Sequence, residues 1–323
     1  IIHLLSYPMQ FIVNYSSCKI LGLMRYILSV LISLMFSSGF TQNYFDIVNF
    51  TYTNTPQNNF EISNAQTHVE ELALELNFGL VINENTNILM GLFTNRTNVS
   101  LDPYTSPSKL NVLGLNIGIN TNFNSKWSGT FMTYTKIASD IIAFSNDNMQ
   151  YALLSLLTNK KRDDLKFYYG LYANTEKYGL ILVPIFGLYY VSANKRFEVN
   201  MKLPIIADIN YKLRNKLWLG MKFDGLGTTY NLNEQDFSMN GAYVSKVSNE
   251  IVSYLRFQLN KSLYLNTKIG YAISRNYEVY NANDKIDFAV GPIYFNDNRT
   301  QLNERFKDGV VFKLELFYRL HFD

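Results

Sequence analysis

Charge is scarce in this chain of 323 residues: Asp, Glu, Lys and Arg make up 17%, against about 25% in an ordinary soluble domain. Cysteine is nearly absent. The single copy, Cys18, precedes the part that reads as folded, so that part has no disulfide, no thiolate metal site and no cysteine nucleophile. Histidine occurs three times, and only His68 and His321 follow residue 41, which leaves little for Ser-His or metal-His chemistry. No run reaches the ~18 to 20 apolar residues of a membrane-crossing helix. The longest, Tyr26 to Phe36 and Leu180 to Val191, fall short, and the second contains Pro184. Net charge is also small. The formal value is +3, and Lys19 and Arg25 are the only charges before residue 42, so the remainder is almost neutral and carries no basic footprint for nucleic acid.

What is abundant is strand and turn material. There are 24 Tyr, 23 Phe and 38 Asn, and 47% of the chain is hydrophobic, too apolar to remain unfolded in water.

Met24 and Arg25 precede the apolar stretch Tyr26 to Phe36 and then the small or polar run Ser37 to Gln42. That order, a short positive end, an apolar core and a small-residue exit, is that of a secretory signal peptide. The expectation is an upstream extension over residues 1–23, a signal peptide over 24–41 and one folded domain over 42–323.

From Tyr44 onward apolar residues recur at every second position, the period of a strand with one greasy face. Leu72, Leu74, Leu76, Phe78 and Leu80 oppose Glu71, Ala73, Glu75, Asn77 and Gly79. Leu113, Leu115, Ile117 and Ile119 oppose Gly114, Asn116, Gly118 and Asn120 in the same way. The pattern continues through 165–174, 197–203, 209–213, 217–223, 251–259 and 263–273. Short polar turns, such as Asn83 to Thr86 and Asn260 to Ser262, alternate with connections that are mostly longer, among them 55–67, 98–109, 137–148, 225–242 and 275–305. About 14 strands result, with 12 as the alternative.

Such alternation suits either a soluble sandwich or a membrane barrel. Export without cysteines, an even strand count and short turns alternating with long loops favour an all-β, transmembrane, antiparallel up-and-down β-barrel, closed because lipid cannot satisfy free backbone groups. The last strand adds to this. Phe312, Leu314, Leu316, Tyr318, Leu320 and Phe322 form one apolar face against Lys313, Glu315, Phe317, Arg319 and His321. It is similar to the terminal strand that outer-membrane barrels present to their assembly machinery, although Phe322 is penultimate rather than last.

The segments Tyr178-Gly-Leu-Ile-Leu-Val-Pro-Ile-Phe-Gly-Leu-Tyr-Tyr190, Asn194-Lys-Arg-Phe197, Leu203-Pro204 and Ala207-Asp-Ile-Asn-Tyr211 resemble a Bacteroidota outer-membrane β-barrel family known only as a domain of unknown function. The resemblance implies a fold and a place in the outer membrane of a Gram-negative cell. It offers no catalytic residue.

If the greasy face meets lipid, the polar face meets the lumen. The residues expected there are Glu71, Glu75, Lys166, Glu198, Lys202, Asp208, Lys212, Lys222, Asp224, Arg256, Lys268, Lys313, Glu315 and Arg319. Charges so placed set selectivity if the lumen is open and pair with one another if it is closed. Their near balance argues for a passive pore or small-solute uptake channel of low charge selectivity. The alternative is a non-conducting structural or surface-interaction barrel with a plugged lumen, whose long loops bind another envelope component. An enzyme ranks third, since His68 with Glu70, Glu71 or a loop Asp is the only seed for one. No cofactor or metal is expected: Asn281, Asn283, Asp284, Asp287 and Asp297 are oxygen ligands of the kind calcium accepts, but Lys285 occupies the third ligand position of the loop pattern. The apolar stretch Phe288 to Phe295 inside that loop is expected to fold over the mouth or form an external hairpin.

Overall fold

The computed structural model describes residues 44–321 apart from 234–236 and 238–240. The expected leader, its cleavage site and Phe322 lie outside the described residues. Eighteen strands follow one another: β1 (Tyr44–Asn54), β2 (Asn58–Asn59), β3 (Gln66–Thr67), β4 (Val69–Asn83), β5 (Thr86–Val99), β6 (Ser108–Asn122), β7 (Trp127–Ser139), β8 (Met149–Arg162), β9 (Leu165–Glu176), β10 (Gly179–Val191), β11 (Phe197–Leu203), β12 (Ile206–Arg214), β13 (Leu217–Leu232), β14 (Ala242–Gln258), β15 (Leu263–Asn281), β16 (Phe288–Val290), β17 (Ile293–Phe295) and β18 (Gly309–His321).

Fourteen of them, β1, β4 to β15 and β18, form a closed antiparallel barrel. Closure joins the two ends of the chain: β1 pairs with β18 from Tyr44↔His321 to Asn54↔Phe312. The remaining four are short ornaments of the long-loop end, β2 with β3 and β16 with β17. The latter is the external hairpin, one of the two arrangements expected over 288–295. Its first strand extends the wall by pairing parallel to Leu180, Ile181 and Leu182 of β10, and Phe288 stacks on Phe295 with ring centroids 4.5 Å apart.

The alternation dictates which way each side chain points, because successive strand residues face opposite sides. Leu113, Leu115, Ile117 and Ile119 of β6 are exposed on the outer surface, as are Phe312, Leu314, Leu316 and Tyr318 of β18. Inside, glycine makes room for rings. A Cβ on Gly114 would fall 2.2 Å from the Phe93 ring, and one on Gly220 would fall 2.2 Å from Tyr254, so both aromatics lie across a bare stretch of the neighbouring strand.

The ends of the barrel differ. At the long-loop end β11 and β12 stop early, after 7 and 9 residues, while β13, β14 and β15 run for 16, 17 and 19. Two segments expected as loops, 225–242 and 275–305, are therefore partly strand: β13 continues to Leu232, β14 begins at Ala242 and β15 runs to Asn281. The alternation fails there because both faces are covered, with Ala242, Tyr243, Val244 and Ser245 all buried in sequence.

Beyond Ile206 the edge of β13 has lost β12 and crosses to the opposite wall. Asn231 bridges Ser139 of β7, the Asp140 amide donates to the Asn231 carbonyl at 3.1 Å, and Gln150 Nε2 donates to the Thr229 carbonyl at 2.9 Å. The sheet thus closes a second time through β13 and β7, leaving β8 to β12 outside this smaller ring. An apolar core fills it: Val99, Leu101, Leu110, Val112 and Ala138 pack against Tyr230, Leu232, Val244, Tyr277 and Val279, with Phe60 and Phe306 from the loops.

Candidate functional site

Beneath that core the interior is polar, and its charges are arranged as pairs. Lys246 bonds Glu71, which also accepts from Asn95 at 2.7 Å. Lys222 meets Asp224 at 3.0 Å, Lys268 meets Glu315 at 3.0 Å, Arg256 reaches Asp208 at 3.5 Å, and Lys313 meets Glu250. Arg319 clasps Asp46 through Nε at 2.6 Å and Nη2 at 2.8 Å, and Lys136 meets Glu176 at 3.2 Å. Burial makes these contacts matter, since a desolvated charge left alone costs far more than its pair returns in water.

The remaining lumen residues expected from the sequence stand apart from these pairs. Lys202 donates to Asn200 at 2.8 Å and lies over the Tyr168 ring at 4.7 Å. Lys166 lies over Tyr189 at 5.3 Å and Lys212 over Trp218 at 5.3 Å, while Glu198 accepts from Tyr44 at 3.2 Å. Sequence reasoning did not single out Asp46, Lys136, Glu176, Lys246 or Glu250. The two-residue period places Lys136, Glu176, Lys246 and Glu250 on the inner face, but β7 is rich in Thr and the outer half of β14 has no polar-apolar contrast, so the period there is faint. Asp46 faces inward only through a bulge between Asp46 and Val48 in β1.

Among the described residues, two cavities lie beside these interior charges. The smaller, about 310 Å³, lies among Asp46, Asp208, Lys222, Arg256, Glu315 and Arg319 toward the short-turn end. The larger, about 630 Å³, follows one row of the wall from β4 to β9 and is lined by Glu75, Phe93, Asn116, Met132, Tyr134 and Tyr172, among others. Registers Glu75↔Phe93, Asn116↔Tyr134, Tyr134↔Ala152 and Ala152↔Asn174 hold this row level. Tyr134 and Tyr172 meet edge to face, 6.4 Å apart. Glu75 is exposed to this space.

His68 and His321 cannot act together. His68 is exposed beside β3 at the long-loop rim, and His321 shares a 2.9 Å hydrogen bond with Tyr264 at the other end. In the long loop, Asp297 and Arg299 form an ion pair at 2.7 Å. The Arg299 guanidinium sits among Tyr280, Tyr178 and Tyr294, 4.4, 4.7 and 5.3 Å from their ring centres. The Arg299 hydrogen bond, opposed by partial burial, holds the Asp297 carboxyl below the usual aspartate range.

The model of the domain of unknown function (DUF6268) matches residues 38–310. No curated protein matches the chain. Solved outer-membrane barrels are similar to it at low identity. An outer membrane channel from Pseudomonas putida F1 is 7% identical, with 88% of this chain and 98% of that one covered and a TM-score of 0.44. For the NanC porin the values are 9%, 84%, 100% and 0.41. For the translocator domain of the autotransporter NalP from Neisseria meningitidis they are 12%, 94%, 98% and 0.37.

Proposed function

The chain belongs to the DUF6268 family, whose function is unknown, and we propose that it is an outer-membrane channel for small solutes, narrow and of low charge selectivity. The outer surface of apolar side chains fits a bilayer, and closure of the ladder leaves no backbone edge for lipid to meet. The short turns and both strand termini of the barrel then face the periplasm, and the long loops face outward. The observation that carries the reading is the cavity of about 630 Å³ within the wall, a volume suited to a small organic molecule. Its polar surroundings are ion-paired with nearly equal numbers of each sign, which gives weak discrimination between anions and cations. Passage requires the apolar core at the outer end to yield, so the resting barrel conducts little.

Planar bilayers test this. Wild-type protein should give small, infrequent conductance steps, and replacing residues 228–247 by a short turn should raise them severalfold. Lys222→Glu should then alter ion preference. Folded protein that stays silent with the 228–247 segment removed would exclude the channel.

One observation favours a second reading. The apolar core closes the mouth and seven ion pairs cross or line the lumen, an arrangement that also suits a structural barrel whose long loops engage an envelope partner. Persistent silence together with co-purification of a partner, lost on deletion of residues 276–300, would establish that reading instead.

A further inference from the structure

We infer that the larger cavity is a binding site for small organic cations, amines with an apolar body, and that Glu75 is the residue that holds their charge. The inference rests on the reading of the interior as solute-accessible and names the class of solute. Three lysines carry positive charge toward this part of the lumen: Lys136 in the cavity wall, and Lys222 and Lys268 across from it. Each is already bonded to another acid, Lys136 to Glu176, Lys222 to Asp224 and Lys268 to Glu315. Among the described residues Glu75 makes no direct hydrogen bond or ion pair, and it is exposed to the cavity. Four carboxylates thus face three ammonium groups, and the carboxylate left over lines the open space.

The rest of the lining fits the apolar part of such a ligand. Phe93 lies across Gly114, Tyr134 and Tyr172 form an edge-to-face pair, and Met132 supplies an adaptable contact. Ring faces attract a cation beside them and accept an aliphatic or aromatic body equally well. Asn77 and Asn116 line the same space and offer amide oxygens to the N–H groups that a carboxylate does not take. An anion of the same shape would meet Glu75 with like charge, and a neutral isostere would forgo the ionic bond.

Calorimetry on the folded barrel in detergent tests the assignment, with phenethylammonium as probe, and 2-phenylethanol and phenylacetate as the neutral and anionic matches. Phenethylammonium should bind about tenfold or more tightly than the alcohol, the range of one hydrogen bond to a charged group, and phenylacetate should give no heat. Glu75→Gln, which keeps shape and removes charge, should abolish that preference while leaving the heat-modifiable gel migration of the folded barrel intact. Equal binding of cation and alcohol by the wild type would overturn the inference without recourse to any variant, as would a folded Glu75→Gln protein that keeps the preference or a wild type that binds no amine. A barrel that binds amines yet never conducts would sink the channel and leave this site standing; one that conducts without binding amines would do the reverse.

Discussion

At the scale of single residues, the interior is governed by which charges have partners. Lys246 and Glu71 are both nearly enclosed, so Lys246→Met leaves a buried carboxylate whose remaining bonds come from Asn95 and Thr97. The expected loss is about 3 to 5 kcal/mol, read as a lower urea midpoint for loss of the heat-modifiable gel form. Arg162→Ala, which removes an exposed pair with Asp164 in a short turn, should leave that midpoint unchanged. Gly220 gives a steric counterpart. Gly220→Ala drives the Tyr254 ring away and with it the 2.6 Å hydrogen bond to Asp208, and about 1 to 3 kcal/mol should be lost in the same assay. Glu71, Glu75 and Glu315 could be placed inside from the alternation alone. Which of them is paired could not, because Lys246 and Glu71 are brought together from β14 and β4, far apart in sequence.

At the scale of elements, the last strand separates its two faces most cleanly. Leu314 is half exposed on the outer surface, whereas Glu315 is buried against Lys268. Leu314→Arg should therefore cost about 2 to 4 kcal/mol near the middle of a bilayer, seen as poorer folding into vesicles, while Leu314→Phe should fold normally. The β16–β17 hairpin is held by a different device. Its loop is pinned where Arg299 sits among Tyr178, Tyr280 and Tyr294, and Arg299→Ala should expose residues 283–300 to limited proteolysis with the barrel intact. Acid should act in the same direction. The folded Asp297 carboxyl titrates below its unfolded value, so its contribution is present above that unfolded value, about pH 4, and is lost as pH falls through the folded one. Pepsin nicking of the loop should accordingly increase on acidification toward pH 2 in the wild type, and Arg299→Ala should be nicked at comparable rates throughout.

At the scale of the whole molecule, strand length decides what the interior becomes. Had all fourteen barrel strands ended at one level, the lumen would run through. Because β11 and β12 stop early and β13 to β15 continue, the long strands bend across to β7 and the space between them fills with apolar side chains. The channel reading and the sealed reading differ in whether that outer ring opens. Removal of residues 228–247 addresses the question at this scale, since no single lumen charge controls it.

The sequence by itself determined the strands and their two faces, and closure of the sheet through β1 and β18 was seen in the structure. The two-residue period with one apolar face suits a sandwich as well, but together with short turns alternating with long loops and the apolar face of the last strand it pointed to a barrel. It put Glu71, Glu75 and Glu315 on the polar face, though not Asp46, which a bulge turns inward. The sequence also marked Phe288 to Phe295 as an apolar run within a polar loop, and the structure chose the hairpin over a fold across the mouth. The second closure and the larger cavity were decided only by the tertiary structure. Segments 225–242 and 275–305 read as loops because residues buried on both faces lose the contrast that marks a strand. The isolation of Glu75 had a related origin: Lys222 is taken by Asp224 on its own strand, but Lys136 and Lys268 are taken by Glu176 and Glu315 on other strands, and those two pairings exist only once the sheet has formed.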